Sequence, residues 1–331
     1  MDKIETLPPP PGVVGSLRAG FDAIASNLTV ILLPLALDLF LWLGPRLHID
    51  WLFQPIFDEM SRYARFSGIP AADVKTLQEN SALVLEQLQQ YNLLTALRTF
   101  PIGIFSLMSG KIAGETPFGS PSVIQVDSLF TFLGWIVLLT LVGWVSGGLF
   151  FRWVSMVVDS SDSAEFRFGQ SIIQTVLLSM LYIMLAIMIG IPLVVVLALV
   201  IAASPSFGQG LLLILGLLSI WLIVPVFFTP HGIFMRQQNA FSSIYTSLRM
   251  ARYTLPTSSL FVLSVLLIAY GLNFLWNIPS SDSWMALVGI AGHAFITTSL
   301  LAASFIYYHD MQVWLQTVLE KLKTNLPTQQ A

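Results

Sequence analysis

The stretch Ser171 to Phe228, SIIQTVLLSMLYIMLAIMIGIPLVVVLALVIAASPSFGQGLLLILGLLSIWLIVPVFF, decides the fold class, and from Phe168 to Met235 the chain carries no Asp, Glu, Lys or Arg. Crossing the roughly 30 Å hydrocarbon core of a bilayer takes about 20 apolar residues as a helix. The stretch is long enough for two crossings, with Ser204-Pro205-Ser206-Phe207-Gly208 supplying the breakers of a turn between them. The sequence therefore predicts a hairpin of two membrane helices, about Ser171 to Ala203 and about Gly210 to Phe228. Gly190 and Pro192 interrupt the first of these, which must tilt, break or project, since a straight helix of that length outruns the bilayer.

Composition agrees. Of 331 residues 55% are hydrophobic and 10% charged, against about 25% charged in soluble domains. A net charge of -3 does not suggest nucleic acid or a polybasic lipid tether. With no cysteine there is no disulfide, thiolate metal site or cysteine nucleophile. The expected partners are membrane lipids and, in an accessory role, other membrane subunits.

Outward from the hairpin, the chain reads as an all-α integral membrane protein with six transmembrane helices. Residues 1–27 form a tail, with Pro8 to Pro11 extended, and then a surface helix carrying Val14, Leu17, Phe21, Ile24 and Leu28 at helical spacing. The membrane domain covers 28–308. Its first span, about Leu28 to Leu43, bears Pro34 and Asp38 and should remain as an uncleaved anchor. The loop 46–127 is expected to form a helical cap, with one amphipathic helix through Ile49, Leu52, Phe53, Ile56, Phe57, Met60 and Tyr63 and a second from Val74 to Leu94. Pro101 to Met108 is apolar but too short to span, so an interfacial or re-entrant position is expected. The remaining spans are Leu129 to Phe151, the opening hairpin, Ser258 to Trp276 and Trp284 to Tyr308; residues 309–331 form an amphipathic tail.

Lys and Arg of the short loops gather on the side of the termini: Arg18, Arg152, Arg167, Arg236, Arg249, Arg252 and Lys321 among them. The positive-inside rule makes that side cytoplasmic and the cap extracytoplasmic, in an inner or plasma membrane. Ser16-Leu17-Arg18 precedes the first span as Ser247-Leu248-Arg249 precedes the fifth, and Phe166 to Gln170 is a shorter lead-in to the third. This suggests three hairpins, each entered through a cytoplasmic interfacial helix.

A surface helix with Arg18, the Asn27-Leu28 start, Pro34 in the first span and the Ser247-Leu248-Arg249 lead-in after an uncharged hairpin resemble a known group. The chain is similar, over Val13 to Leu43 and Arg152 to Tyr308, to the six-span membrane domain attached to some bacterial glycerophosphoryl diester phosphodiesterases and to related uncharacterised membrane proteins. The resemblance implies a topology. The diesterase's soluble barrel and its metal-holding Glu and His cluster have no counterpart here, so no diesterase activity is implied.

Three residues are candidates for a ligand site. Asp38 is the one acidic residue well inside a predicted span, where an ionised side chain costs at least about 2.5 kcal/mol and calls for a partner. His293, on a face of the sixth span with Ala286, Gly289, Thr297 and Ser304, is the expected partner, and Asn273 of the fifth span a possible third member. Such a group serves either a proton-linked or ligand-binding site or a structural polar clasp. Arg236, Arg249 and Arg252 are candidates for anionic lipid headgroups, or simply set orientation. Gly143 and Gly147 suit close helix contact; Ser146 lacks the flanking glycine of an intramembrane protease, Trp144 standing in its place. Phosphate-loop, dinucleotide, zinc and paired-carboxylate motifs are missing, so no catalytic residue, metal or cofactor is expected. His48 and His231 should be solvated near interfaces. The expected function is a non-enzymatic scaffold, accessory subunit or lipid-associated module. The alternative is a small proton-linked transporter using Asp38 and His293, and a lipid-modifying enzyme is a third class.

Overall fold

A computed structural model describes residues 9–111, 114–159 and 167–324. Its helices are α1 (Val13–Ala25), α2 (Leu32–Leu43, after a 3-10 turn over Leu28–Ile31), α3 (Asp50–Phe66), α4 (Ala71–Gln90), α5 (Leu129–Val158), α6 (Phe168–Leu185), α7 (Ile191–Ala203), α8 (Pro205–Arg236), α9 (Ala240–Trp276) and α10 (Ala286–Thr324). Among the described residues five helices are long and apolar enough to cross a membrane, or six if α1 and the Leu28–Leu43 segment are one span bent by 89°. This is a multi-pass membrane protein built of helices.

The opening stretch forms two long helices, with a tighter turn than the sequence suggests. Only Ser204 is extended; Pro205 already stands in the first turn of α8, where its missing N-H costs no hydrogen bond. Gly190 and Pro192 do not break the first helix. A π turn over Ala186–Gly190 joins α6 to α7, and the run Phe168–Ala203 counts as one helix of 36 residues. From Ile183 to Ile223, Gly208 alone is buried among the described residues. A side chain there would run into Ile201 of α7, so this glycine lets the two helices approach near their turn. The outer half of the hairpin packs on itself and stands clear of the bundle.

The inner half joins the main core. Phe150 and Phe151 of α5, Leu178 of α6, Phe228 and Phe234 of α8, Phe261 of α9 and Phe305, Tyr307 and Tyr308 of α10 share one buried cluster. Phe261 and Tyr307 stack with centroids 4.1 Å apart and planes 10° from parallel. Helix α9 bends at Thr254 (φ -128°, ψ 19°), two residues before Pro256, whose ring cannot follow a regular helix. The Thr254 hydroxyl donates to the Met250 carbonyl at 2.7 Å and lies 2.8 Å from Ser258 Oγ, so the bend leaves its polar groups partnered.

Several expectations need correction. The buried face of α1 is Ser16, Gly20 and Ile24, while Val14 is exposed. Helix α1 packs on α10, with Gly20 so close to Ala303 that a Cβ would overlap it. Gly20 brings the two backbones together, and Ile24, fully buried, and Phe21, whose ring meets that of Phe295 of α10 edge-on at 6.0 Å, complete the contact. The lead-in to the third span lies partly outside the described residues, and from Phe168 the chain is already in α6. Helix α10 continues unbroken past residue 308 to Thr324, so the span and the described part of the tail are one element, and the rest of the tail lies outside the described residues. The cap is not purely helical: Arg46–His48 (β1) pairs in parallel with Val123–Gln125 (β2). Within the cap, α3 and α4 pack through Ser61, Ala64, Val74 and Ser81, whereas Ile56, Met60, Tyr63 and Phe66 remain exposed.

Candidate functional site

Helix α2 buries Pro34, Asp38, Leu41 and Trp42, one face of the helix. Asp38 is wholly buried. Facing it is the segment Thr99 to Gly110, which leaves the cap and enters the bundle. Ile102 and Ile104 lie in the main core, and Leu107 and Met108 in a second core with Leu41, Trp42, Leu139 of α5 and Ile290 of α10. The piece expected to be interfacial or re-entrant is thus enclosed in protein, a setting in which irregular backbone is tolerated at membrane depth.

Its polar groups are met by side chains. Ser106 Oγ donates to Asp38 Oδ1 at 2.5 Å, Leu107 N-H to Oδ2 at 3.0 Å and Met108 N-H to Oδ1 at 3.0 Å. Ser106 Oγ also accepts from the Ser109 N-H at 3.0 Å. Deeper in, Ser179 of α6 donates to the Phe100 carbonyl at 3.0 Å, and Thr99 Oγ1 to the Ile102 carbonyl at 2.6 Å. Gly143 and Gly147 of α5 face Thr99 and Gly103, with no room for a Cβ at either. The small-residue pair expected to seat a helix seats this segment instead.

Asp38 and His293 are brought together. Asp38 Oδ2 and His293 Nδ1 are 3.7 Å apart, beyond hydrogen-bond reach, and Nδ1 is buried without a partner. Ala286, Gly289, Thr297 and Ser304 are buried with His293 on α10. Asn273 is not part of the group: its Oδ1 accepts from Asn277 Nδ2 at 3.3 Å, and no hydrogen bond or ion pair links it to Asp38 or His293 among the described residues. The carboxylate is therefore supplied with three donors from one tight turn, with an imidazole alongside.

Sequence reasoning missed two features. Ser106 is one of many serines and lies 68 positions from Asp38, so only the likelihood of a buried carboxylate seeking donors could have pointed toward it. His231, expected at a solvated interface, is buried; its Nε2 lies 2.7 Å from Ser304 Oγ and its ring centroid 4.5 Å from that of Phe305. Helix α8 runs on to Arg236, and α10 covers what would have been a helix end.

At the other end of the bundle, Arg236, Arg249 and Arg252 are exposed. None has a carboxylate within salt-bridge distance among the described residues, and Phe241, Tyr245 and Leu248 stand exposed beside them. Among the described residues there is no cluster of His, Asp and Glu that could hold a metal ion. No family model, curated protein or solved structure matches the chain.

Proposed function

We propose that the protein is a non-enzymatic, lipid-associated module of the inner membrane, with its termini in the cytoplasm and the 46–127 region outside. The observation that carries this reading is the first half of α9. Phe241, Tyr245 and Leu248 offer apolar surface at helical spacing, and Arg249 and Arg252, with Arg236 at the adjoining end of α8, offer exposed positive charge without a salt bridge among the described residues. An element of this kind rests at the headgroup boundary, its apolar side chains among acyl chains and its arginines on phosphates. Each arginine contributes about 1 kcal/mol near an anionic surface. The likeness to the membrane domain of the diester phosphodiesterases is proposed as one of topology alone.

The Asp38 geometry favours a structural role within such a module. A proton carrier must exchange partners, whereas this carboxylate is engaged by Ser106, Leu107 and Met108. Proton-linked transport is the second reading, and what favours it is the partnerless His293 Nδ1 beside Asp38.

The test is the lipid that purifies with the protein. Replacing Arg236, Arg249 and Arg252 together by Gln should cut retained anionic phospholipid at least tenfold relative to zwitterionic lipid. An unchanged lipid profile refutes the lipid-associated reading. Proton flux into liposomes that is present in the wild type and abolished by Asp38→Asn would replace it with transport.

A further inference from the structure

The capped end of the bundle holds a cavity of about 360 Å³. Its floor is apolar, with Leu41, Trp42 and Met108, and its walls carry Gln90, Arg46 and Lys111. No Asp or Glu is among its lining residues. Two cations thus face one space without a carboxylate. Each holds a backbone carbonyl of a neighbouring loop: the Arg46 guanidinium donates to Gly114 O, and Lys111 Nζ donates to Pro279 O at 2.6 Å. A guanidinium has five N-H donors and an ammonium three, so one carbonyl leaves most of them available. Burial pulls both groups below their ordinary pKa values.

The surroundings indicate a membrane interface. Trp42 donates its indole N-H to the Ser281 carbonyl at 2.7 Å and meets Trp284 edge-on at 5.9 Å, and Phe118 meets Trp284 at 5.2 Å. Trp284 and Phe118 are exposed. Aromatic residues of this kind gather at headgroup level.

We propose that this cavity is an anion site for a phosphate ester, with Arg46 and Lys111 holding the phosphate and Trp42, Leu41 and Met108 taking the apolar part of the molecule. Arg46 supplies a planar fork and Lys111 a point charge, a pairing suited to phosphate oxygens. The ester is either a lipid headgroup entering from the adjacent leaflet or a soluble phosphate compound. The site lies at the opposite end of the molecule from Arg236, Arg249 and Arg252 and stands independently of the function proposed above.

The experiment is isothermal titration of the full chain in a neutral detergent with two probes, dihexanoyl phosphatidylglycerol and glycerol 3-phosphate. Binding of either supports the site, and the tighter probe identifies the source. Lys111→Gln should weaken that binding at least tenfold, and Arg46→Gln likewise. Arg62→Gln, which removes an exposed cation of α3 paired with Glu59, should leave binding unchanged. The triple Gln variant of Arg236, Arg249 and Arg252 should also bind as the wild type does, which separates this site from the lipid contacts of α9. Should Arg46→Gln fail to fold, Lys111→Gln gives the same reading. The inference is overturned if the wild type binds neither probe, or if both variants only lower thermal stability and bind as before.

Discussion

One side chain can hold two parts of a chain together when its lone pairs match the donors on offer, and Asp38 does so. Its two oxygens accept from a hydroxyl and two backbone N-H groups, hydrogen bonds to a charged group that contribute about 1.5–3 kcal/mol each. Asp38→Asn puts an N-H₂ group against one of those donors. We expect it to destabilise the protein by about 2–4 kcal/mol, seen as a lower midpoint of thermal unfolding in detergent. His293→Ala should have a much smaller effect, because the imidazole makes no hydrogen bond to the carboxylate. Equal losses in the two variants would mean that the imidazole is part of the clasp. The proximity of Asp38 and His293 was legible because polar residues are scarce in the spans and each must find another. The loop donors were not, since nothing local marks which serine returns from the cap. Asn273 instead meets Asn277, a partner four residues along its own helix.

His48 supplies a pH dependence. Burial pulls its imidazole below the ordinary value, Asp50 opposing that pull and Arg46 adding to it. The folded state therefore binds the proton less well than the unfolded chain, so stability is full above about pH 6.5, the unperturbed value, and falls as the pH drops below it. His48→Gln should flatten the loss of thermal stability between about pH 7 and pH 5. If the variant and the wild type lose stability in parallel, His48 is not the group responsible.

At the scale of elements, long apolar runs gave the helices, and breakers gave the ends less well. Proline was read as a stop where it begins α8, and the Gly190-Ile191-Pro192 step was absorbed by a π turn. Amphipathic stripes misled for a related reason. Periodicity reports which residues share a face but not how closely that face approaches its neighbour: in α1 Gly20 brings the backbone against Ala303 beside Ile24 and Phe21, and in α3 Ser61 and Ala64 are buried while Ile56, Met60 and Tyr63 stay exposed. The glycines of α5 follow the same logic. At Gly147 a Cβ would sit 2.7 Å from Gly103 Cα, so Gly147→Leu should expel the re-entrant segment, whereas Gly134→Leu, with nothing within 4 Å of its Cβ position, should be tolerated. The chain has no cysteine, which makes the readout simple. A single Ile104→Cys should resist maleimide in the wild-type background and react in the Gly147→Leu background. Equal protection in both would remove the segment's dependence on that face.

For the whole molecule the open matter is orientation. The same single-cysteine approach applies: Ser120→Cys should be labelled by an impermeant reagent added to intact cells, and Ser242→Cys only after permeabilisation. The reverse pattern would invert the proposed topology, and labelling of both from outside would undo it. Sequence could give the candidate spans, six expected against five, or six with the bent pair, among the described residues, and the bias of charge, because both depend on composition along the chain. It could not give the grouping of helices, which depends on side-chain fit across distant segments.

The hairpin of α6, α7 and α8 stands apart from the other helices over its outer half. Its first arm of 36 residues is about 54 Å long at 1.5 Å per residue, well beyond a hydrocarbon layer of about 30 Å. Excess length of this sort is relieved by leaning or by stretching nearby lipid, at fractions of a kcal/mol per Å. The molecule then has a preferred host: in vesicles of graded acyl length, thermal stability should climb from short to long chains, and a flat response would place the outer arm beyond the acyl region. A protein with that preference would distribute unevenly in a heterogeneous bilayer, collecting where the acyl chains are longest.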